Sequence, residues 1–215
     1  MIKGLILILF FMLNCSGRTE SYLWVKSLPA PWTLTEIQFE KYLVQFQDHY
    51  PDFFDRLKAM NYWRVGTPYG IYCLGEEKGV DDDPIIRYDS SDCTVHILTT
   101  LAFAQSSTWD EARQRMIDIH YKEDLDNNKK PDFNKRWHFT SDRILNHHQT
   151  IDITLSVSNP KDIEQLNITL NQKEDGKQFL DLDWTSEEDI SFIPIEKLNH
   201  EIIKRLPSIC GVSFV

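Results

Sequence analysis

The stretch from Tyr88 to Gln105, YDSSDCTVHILTTLAFAQ, constrains what this chain can fold into more than any other. A polar loop gives way at Cys93 to an apolar run in which Val95, Leu98, Leu101 and Ala102 recur at helical spacing. The spacing predicts a helix that starts at Cys93 and buries one face in a core. A helix start carries unpaired backbone N–H groups and the positive end of the helix dipole. A thiol there is expected to have its pKa lowered toward neutrality and to act as a nucleophile. The competing reading is that Cys93 is a small packed residue on an apolar helix.

The elements around this helix predict an α+β chain, helices first and strands afterwards. Pro29 to Pro31 reads as an extended lead-in. Thr33-Leu34-Thr35-Glu36 reads as a capping box opening a helix to about His49, with Leu34, Ile37, Val44 and Phe46 toward the core. Pro51 begins a second helix with Phe53, Phe54 and Leu57. Thr108-Trp109-Asp110-Glu111 is another capping box, opening a helix to about His120 through Ala112, Met116 and Ile119. Gly66 to Gly70, Gly75 to Pro84 and Asp124 to Pro131 are loops. Ile151–Val157, Leu166–Leu170 and the proline-bearing Phe192–Ile195 read as strands, Glu196–Leu206 as a helix, and Gly211–Val215 as the opening of a further strand.

With 215 residues, 41% of them hydrophobic, the chain can build one packed domain, and no long linker or repeat divides it. Its net charge is −10, and losing the single positive charge of Lys3 with the leader takes it to −11. An acidic chain without a Lys/Arg cluster is a poor partner for nucleic acid or anionic lipid. Residues 1–17 read as a signal peptide: Lys3, then an apolar run from Leu5 to Leu13 too short to span a bilayer. Cleavage before Arg18 is one route. Lipidation of Cys15 as an outer-membrane anchor is the other, from the box Met12-Leu13-Asn14-Cys15. Either route predicts a periplasmic or secreted protein.

Cys73, Cys93 and Cys210 would remain after cleavage. Pairing of Cys73 with Cys210 would leave Cys93 free, although spacing alone assigns no connectivity. No zinc signature is present, and no cofactor or metal is expected. Asp81-Asp82-Asp83 lacks the Gly and distal Glu of a calcium loop and reads as a solvated turn. His147-His148 reads as an exposed loop pair. The sequon Asn167-Ile168-Thr169 matters only in a eukaryotic secretory pathway.

Three ordered segments carry a family resemblance: Gly66-Thr67-Pro68-Tyr69, then Ser91-Asp92-Cys93-Thr94-Val95, then Arg136-Trp137-His138-Phe139 with Ser141-Asp142. Together they resemble the bacterial N-acetylmuramoyl-L-alanine amidase-like family of NlpC-type, papain-like cysteine hydrolases, over roughly Trp63 to Val215. The resemblance implies a papain-like fold and residues 18–215 as a single amidase-like domain, lacking its C-terminal part so that its antiparallel sheet is incomplete. It implies Cys93 as nucleophile, with Tyr69, Asp92, Arg136 and His138 as possible cleft residues and a peptidoglycan stem peptide as substrate. For Tyr69, Arg136 and His138, packing or loop anchoring is the alternative.

Two departures from the family pattern stand out. The family usually has Glu one turn after the nucleophile, where this chain has His96. His96 shares a helix face with Cys93 and is a conceivable base. The papain-like arrangement takes its base from a strand instead, which leaves His96 a supporting or core role. The family's catalytic His lies downstream of the segment matching Cys210 to Val215. A chain ending at Val215 would lack it, so impaired hydrolysis, a non-catalytic binding module and a degenerate gene remnant are the expectations for that case.

Overall fold

The computed structural model describes residues 22–124 and 128–205. They fall into two compact units, one up to His120 and one from Tyr121. Among the described residues the chain is α+β: eight helices, four short 3-10 turns and a two-stranded antiparallel sheet. Cys15 and the expected leader, Cys210 and the Gly211–Val215 strand lie outside the described residues.

The first unit is helical. After α1 (Leu23–Ser27) and a 3-10 turn at Pro31–Thr33 come α2 (Glu36–His49), α3 (Phe53–Trp63), α4 (Cys93–Ala104) and α5 (Trp109–His120). The cap of α2 is Thr35, not Thr33. Thr35 Oγ1 accepts from Gln38 N at 3.3 Å, and Gln38 Oε1 accepts from Thr35 N at 2.9 Å. Thr33 is unavailable because its hydroxyl donates back to Ala30 O at 2.7 Å. The buried face of α2 is Phe39, Leu43 and Phe46. Of the expected core positions Phe46 is buried, whereas Ile37 is 75% exposed and Val44 also faces outward. Ile37 lies two residues from Phe39, about 200° around the helix.

Phe39 centres the core of this unit. Its ring packs on Trp63 at 5.1 Å, Tyr88 at 4.7 Å, Phe103 at 4.6 Å and Trp109 at 6.0 Å, joining α2, α3, α4, α5 and the loop before α4. Such contacts between aromatic rings add stabilisation beyond area burial. On α4, Val95, Leu98 and Ala102 are buried as their spacing predicts. Buried Arg56 donates through Nε to Ala104 O at 2.6 Å, satisfying a carbonyl at the end of α4. The second capping box holds, with Thr108 Oγ1 accepting from Glu111 N at 3.2 Å.

The acidic loop Gly75–Pro84 closes on itself. Gly75 N donates to Pro84 O at 3.0 Å and Glu77 N to Asp83 O at 3.0 Å. A Cβ at Gly75 would stand 2.4 Å from Asp81 O and 2.5 Å from Asp83 O, so only glycine permits that approach. The loop is tied to α5 by a bidentate pair, Arg113 to Glu77, with Nη2 to Oε2 at 2.8 Å. This pairing holds the Glu77 carboxyl below its ordinary range.

The second unit contains α6 (Thr140–Asn146), α7 (Thr154–Val157), β1 (Glu164–Leu170), β2 (Ser186–Phe192) and α8 (His200–Arg205). The strands pair antiparallel with Glu164 opposite Phe192 and Leu170 opposite Ser186. Their connection is pinned by Asn171, buried and at φ 59°, whose side chain bonds Leu180 N at 2.8 Å, Leu180 O and Trp184 O. Asn is among the few residues that tolerate this conformation.

Three sequence expectations are corrected here. Ile151–Val157 is not a strand: Asp152 Oδ1 accepts from Thr154 N at 2.8 Å and starts a single helical turn. The Phe192–Ile195 strand stops at Phe192, because Pro194 has no N–H for a ladder and opens a 3-10 turn instead. His147 is buried rather than exposed, between the Trp137 ring at 5.6 Å and His148 at 4.5 Å.

Candidate functional site

The first unit brings together Tyr69, Asp92, Cys93 and His96. The loop ahead of α4 is fixed by a parallel bridge: Ser91 N donates to Pro68 O at 2.9 Å, and Gly70 N to Ser91 O at 3.3 Å. This places the Gly66–Tyr69 motif directly beside the Asp92-Cys93 motif. The approach depends on Gly70, where a Cβ would fall 2.3 Å from Ser90 Oγ and 2.9 Å from Cys73 Sγ. Two adjacent tyrosines are left outside the core, Tyr69 78% and Tyr72 85% exposed. The packing role for Tyr69 therefore does not hold. Tyr72 also sits at φ 56°, which is unfavourable for a residue with a Cβ.

Asp92 is the N-cap of α4, its Oδ1 accepting from Val95 N at 2.8 Å. Cys93, the first helical residue, is exposed, so the packed-residue alternative does not describe it. The first intrahelical bond runs from His96 N to Asp92 O at 2.9 Å. With Val95 N taken by Asp92, the Cys93 and Thr94 N–H groups carry no hydrogen bond among the described residues. The thiol thus stands beside two unengaged donors. Cys73 is a buried thiol 3.8 Å from Ser90 Oγ.

His96 lies one turn along. It is not a core residue: its ring is half-buried, and Nε2 is 2.7 Å from Asn61 Oδ1 on α3. Burial and the Arg64 charge hold its pKa below the ordinary imidazole value. Arg64, following α3, is fully buried. Its Nη1 donates to His96 O at 3.0 Å and to Thr100 Oγ1 at 2.6 Å, while Nε and Nη2 have no partner among the described residues. Its pKa is pushed down by burial to about 9. Sequence reasoning missed both Asn61 and Arg64. Each is an ordinary polar residue near a helix end, and only the packing of α3 on α4 gives it a role.

Arg136 and His138 belong to the second unit. Arg136 is buried with its guanidinium over the Phe133 ring at 5.3 Å. His138 Nε2 donates to Phe133 O at 2.6 Å, and burial is the main reason its pKa is lowered. Asp142, from the Ser141-Asp142 motif, is buried and pairs with Lys122 Nζ at 2.5 Å. That ammonium lies over Trp137 at 4.7 Å and Trp184 at 4.3 Å. In this unit the motif residues hold their own loop and helix together.

These features define an α+β protein with an exposed, capped cysteine at the start of a buried helix. Comparison with known proteins then gives the family. The model of the N-acetylmuramoyl-L-alanine amidase-like family matches residues 59–212, and the chain belongs to that family. A crystal structure of a Legionella pneumophila protein with the family model DUF1460 matches with a TM-score of 0.60 and 21% identity. The match covers 79% of this chain and 69% of that one, and at this identity it establishes shared fold. No curated protein matches the chain.

Proposed function

We propose that this protein is a cell-envelope cysteine amidase or peptidase of papain-like, NlpC-type architecture, cutting amide bonds in peptidoglycan stem peptides with Cys93 as nucleophile. The carrying observation is the exposed Cys93 thiol at a helix start capped by Asp92, beside unengaged N–H groups. In this reading Sγ attacks the amide carbonyl, and the Cys93 N–H donates to the developing oxyanion. A thioester forms as the amine leaves, and water hydrolyses it. Tyr69, held next to the nucleophile by the Ser91 bridge, forms one wall of the cleft. Arg136 and His138 are each engaged inside the second unit, against Phe133. The leader read in residues 1–17 would bring the chain to the envelope, with Cys15 as the point of any lipid anchor.

The test is release of soluble peptide from purified peptidoglycan sacculi, followed by mass spectrometry. Cys93→Ala is expected to lower the rate by at least about 10³-fold, the scale seen when a covalent nucleophile is removed. Release that is unchanged in Cys93→Ala would overturn the assignment. Sacculus binding with no release by the unaltered chain would assign a binding module instead.

A further inference from the structure

We propose that Trp32, Tyr69 and Tyr72 form an aromatic platform that binds the glycan strand of peptidoglycan; this deepens the hydrolase reading above and rests on it. Trp32 lies on the 3-10 turn Pro31–Thr33. Buried Pro31 and the bond from Trp63 Nε1 to Pro29 O at 2.8 Å fix that turn against α3. The Trp32 indole rests on Gly66, where a Cβ would stand 3.1 Å from Cη2. Gly66 opens the segment that ends at Tyr69, and three residues of chain span at most about 10 Å. Tyr69 is bridged to Ser91, which sets its ring beside the loop that carries the nucleophile.

Three observations mark these rings as a site rather than as packing. The other five tryptophans each pack on another ring, whereas Trp32 makes no ring contact among the described residues. Its indole N–H and the hydroxyls of exposed Tyr69 and Tyr72 have no hydrogen-bond partner among the described residues. Tyr72 is held in the left-handed region, φ 56°, between Gly70, whose N–H donates to Ser91 O, and buried Cys73. That conformation is unfavourable for a bulky side chain and persists only where its surroundings impose it. The anchors on either side therefore keep the Tyr72 ring turned outward at a cost in stability.

The chemistry of the platform selects its ligand. Residues 66–72, GTPYGIY, and the turn Pro31–Thr33 carry no charge. They suit a neutral ligand and offer no counter-ion to a stem-peptide carboxylate or a phosphate. The ring of an N-acetylated amino sugar has apolar C–H faces and polar hydroxyl and amide edges. Its faces stack on the aromatic rings and on exposed Ile71, while the two phenols and the indole N–H bond its edges. A wholly apolar partner would desolvate those three polar tips and leave them unpaired. A glycan held here brings the stem peptide it carries toward Cys93. Trp32 precedes residues 59–212 matched by the family model, so the segment ahead of that match supplies part of the platform.

The experiment measures, by isothermal titration calorimetry, binding of soluble glycan strands stripped of peptide and of free stem peptide. It compares the unaltered chain, Trp32→Ala and Tyr72→Gly, alongside peptide release from sacculi. Circular dichroism checks that each variant is folded. Glycine adopts the Tyr72 backbone without strain, so misfolding does not obscure that variant. The unaltered chain is expected to bind the glycan strands, and each variant should bind them about three- to tenfold more weakly, the effect of losing one aromatic stacking partner. Each should also raise the sacculus concentration needed for half-maximal release. Glycan affinity unchanged in either variant, or no glycan binding by the unaltered chain, overturns the platform. If release is then still abolished by Cys93→Ala, the hydrolase reading survives without it. Glycan binding weakened in both variants, with no peptide release by the unaltered chain, retains the platform and removes the hydrolase reading. Binding of free stem peptide in place of glycan, lost in Trp32→Ala, would assign these rings to the peptide and overturn the glycan assignment.

Discussion

Replacing Asp92 with Ala tests whether the cap of α4 is what holds Cys93 in place. The substitution removes the Oδ1 acceptor of Val95 N at 2.8 Å and a negative charge at the positive end of a 12-residue helix. Loss of an N-cap hydrogen bond costs about 1 kcal/mol, and loss of the charge about 0.3–1 kcal/mol more. Asp92→Ala should therefore destabilise by about 1.5–2 kcal/mol, whereas Asp92→Asn keeps an acceptor and loses only the charge contribution. With a urea m-value of about 2 kcal/mol/M, the alanine variant shifts the midpoint down by about 0.75–1 M and the asparagine variant by less than half of that. Urea unfolding followed by far-UV circular dichroism reads both. An Asp92→Asn midpoint as low as that of Asp92→Ala would show that the hydrogen bond contributes nothing. A negligible shift in both would show that the buried face of α4, Val95 through Phe103, fixes the helix start unaided.

Arg64→Met should be neutral or stabilising at pH 7, because a buried guanidinium with two unbonded nitrogens is replaced by an apolar chain of similar length. His96 O keeps the Thr100 hydroxyl at 2.6 Å, and Thr100 Oγ1, which loses the Arg64 donor, stays bonded through its own proton. The folded pKa of Arg64, about 9, lies well below the ordinary guanidinium value it has in the unfolded chain. The unfolded chain thus binds more protons between them, and this residue's contribution to stability rises as pH increases through about 9. The difference in unfolding midpoint between the unaltered chain and Arg64→Met should change in that direction from pH 8 to 10.5, and a flat difference would contradict the burial argument. In the second unit, Asp142→Ala leaves Lys122 without its carboxylate between two tryptophans. It should cost about 2–4 kcal/mol, read as faster hydrogen exchange in β1 and β2, with unchanged exchange as the refuting result.

Helix existence was legible where a periodic apolar face coincided with capping chemistry. The start of α4 at Cys93 and the Thr108–Glu111 box before α5 are local patterns, in which residues three or four apart supply each other's partners. The errors arose where two local choices compete. Thr33 and Thr35 both offer a hydroxyl, and the 3-10 turn at Pro31 consumed the first. Ile151–Val157 is β-branched enough to read as a strand, but Asp152 captured Thr154 N and turned the backbone. Pro194 fits an edge strand, yet the strand ends at Phe192, three residues before the expected end at Ile195.

The candidate site divides the same way. The sequence by itself determined that Cys93 stands at the head of an apolar helix, that helices precede strands, and that three ordered motifs resemble one family. Those facts depend on residues close together in the chain. Only the tertiary structure decided that Tyr69 runs beside Ser91, that Asn61 reaches His96 across 35 positions, and that a buried Arg64 lies under the same turn. These contacts exist because α3 packs on α4 and the 66–70 loop folds back against Ser90. Long-range packing of that kind leaves no periodicity for a sequence to display.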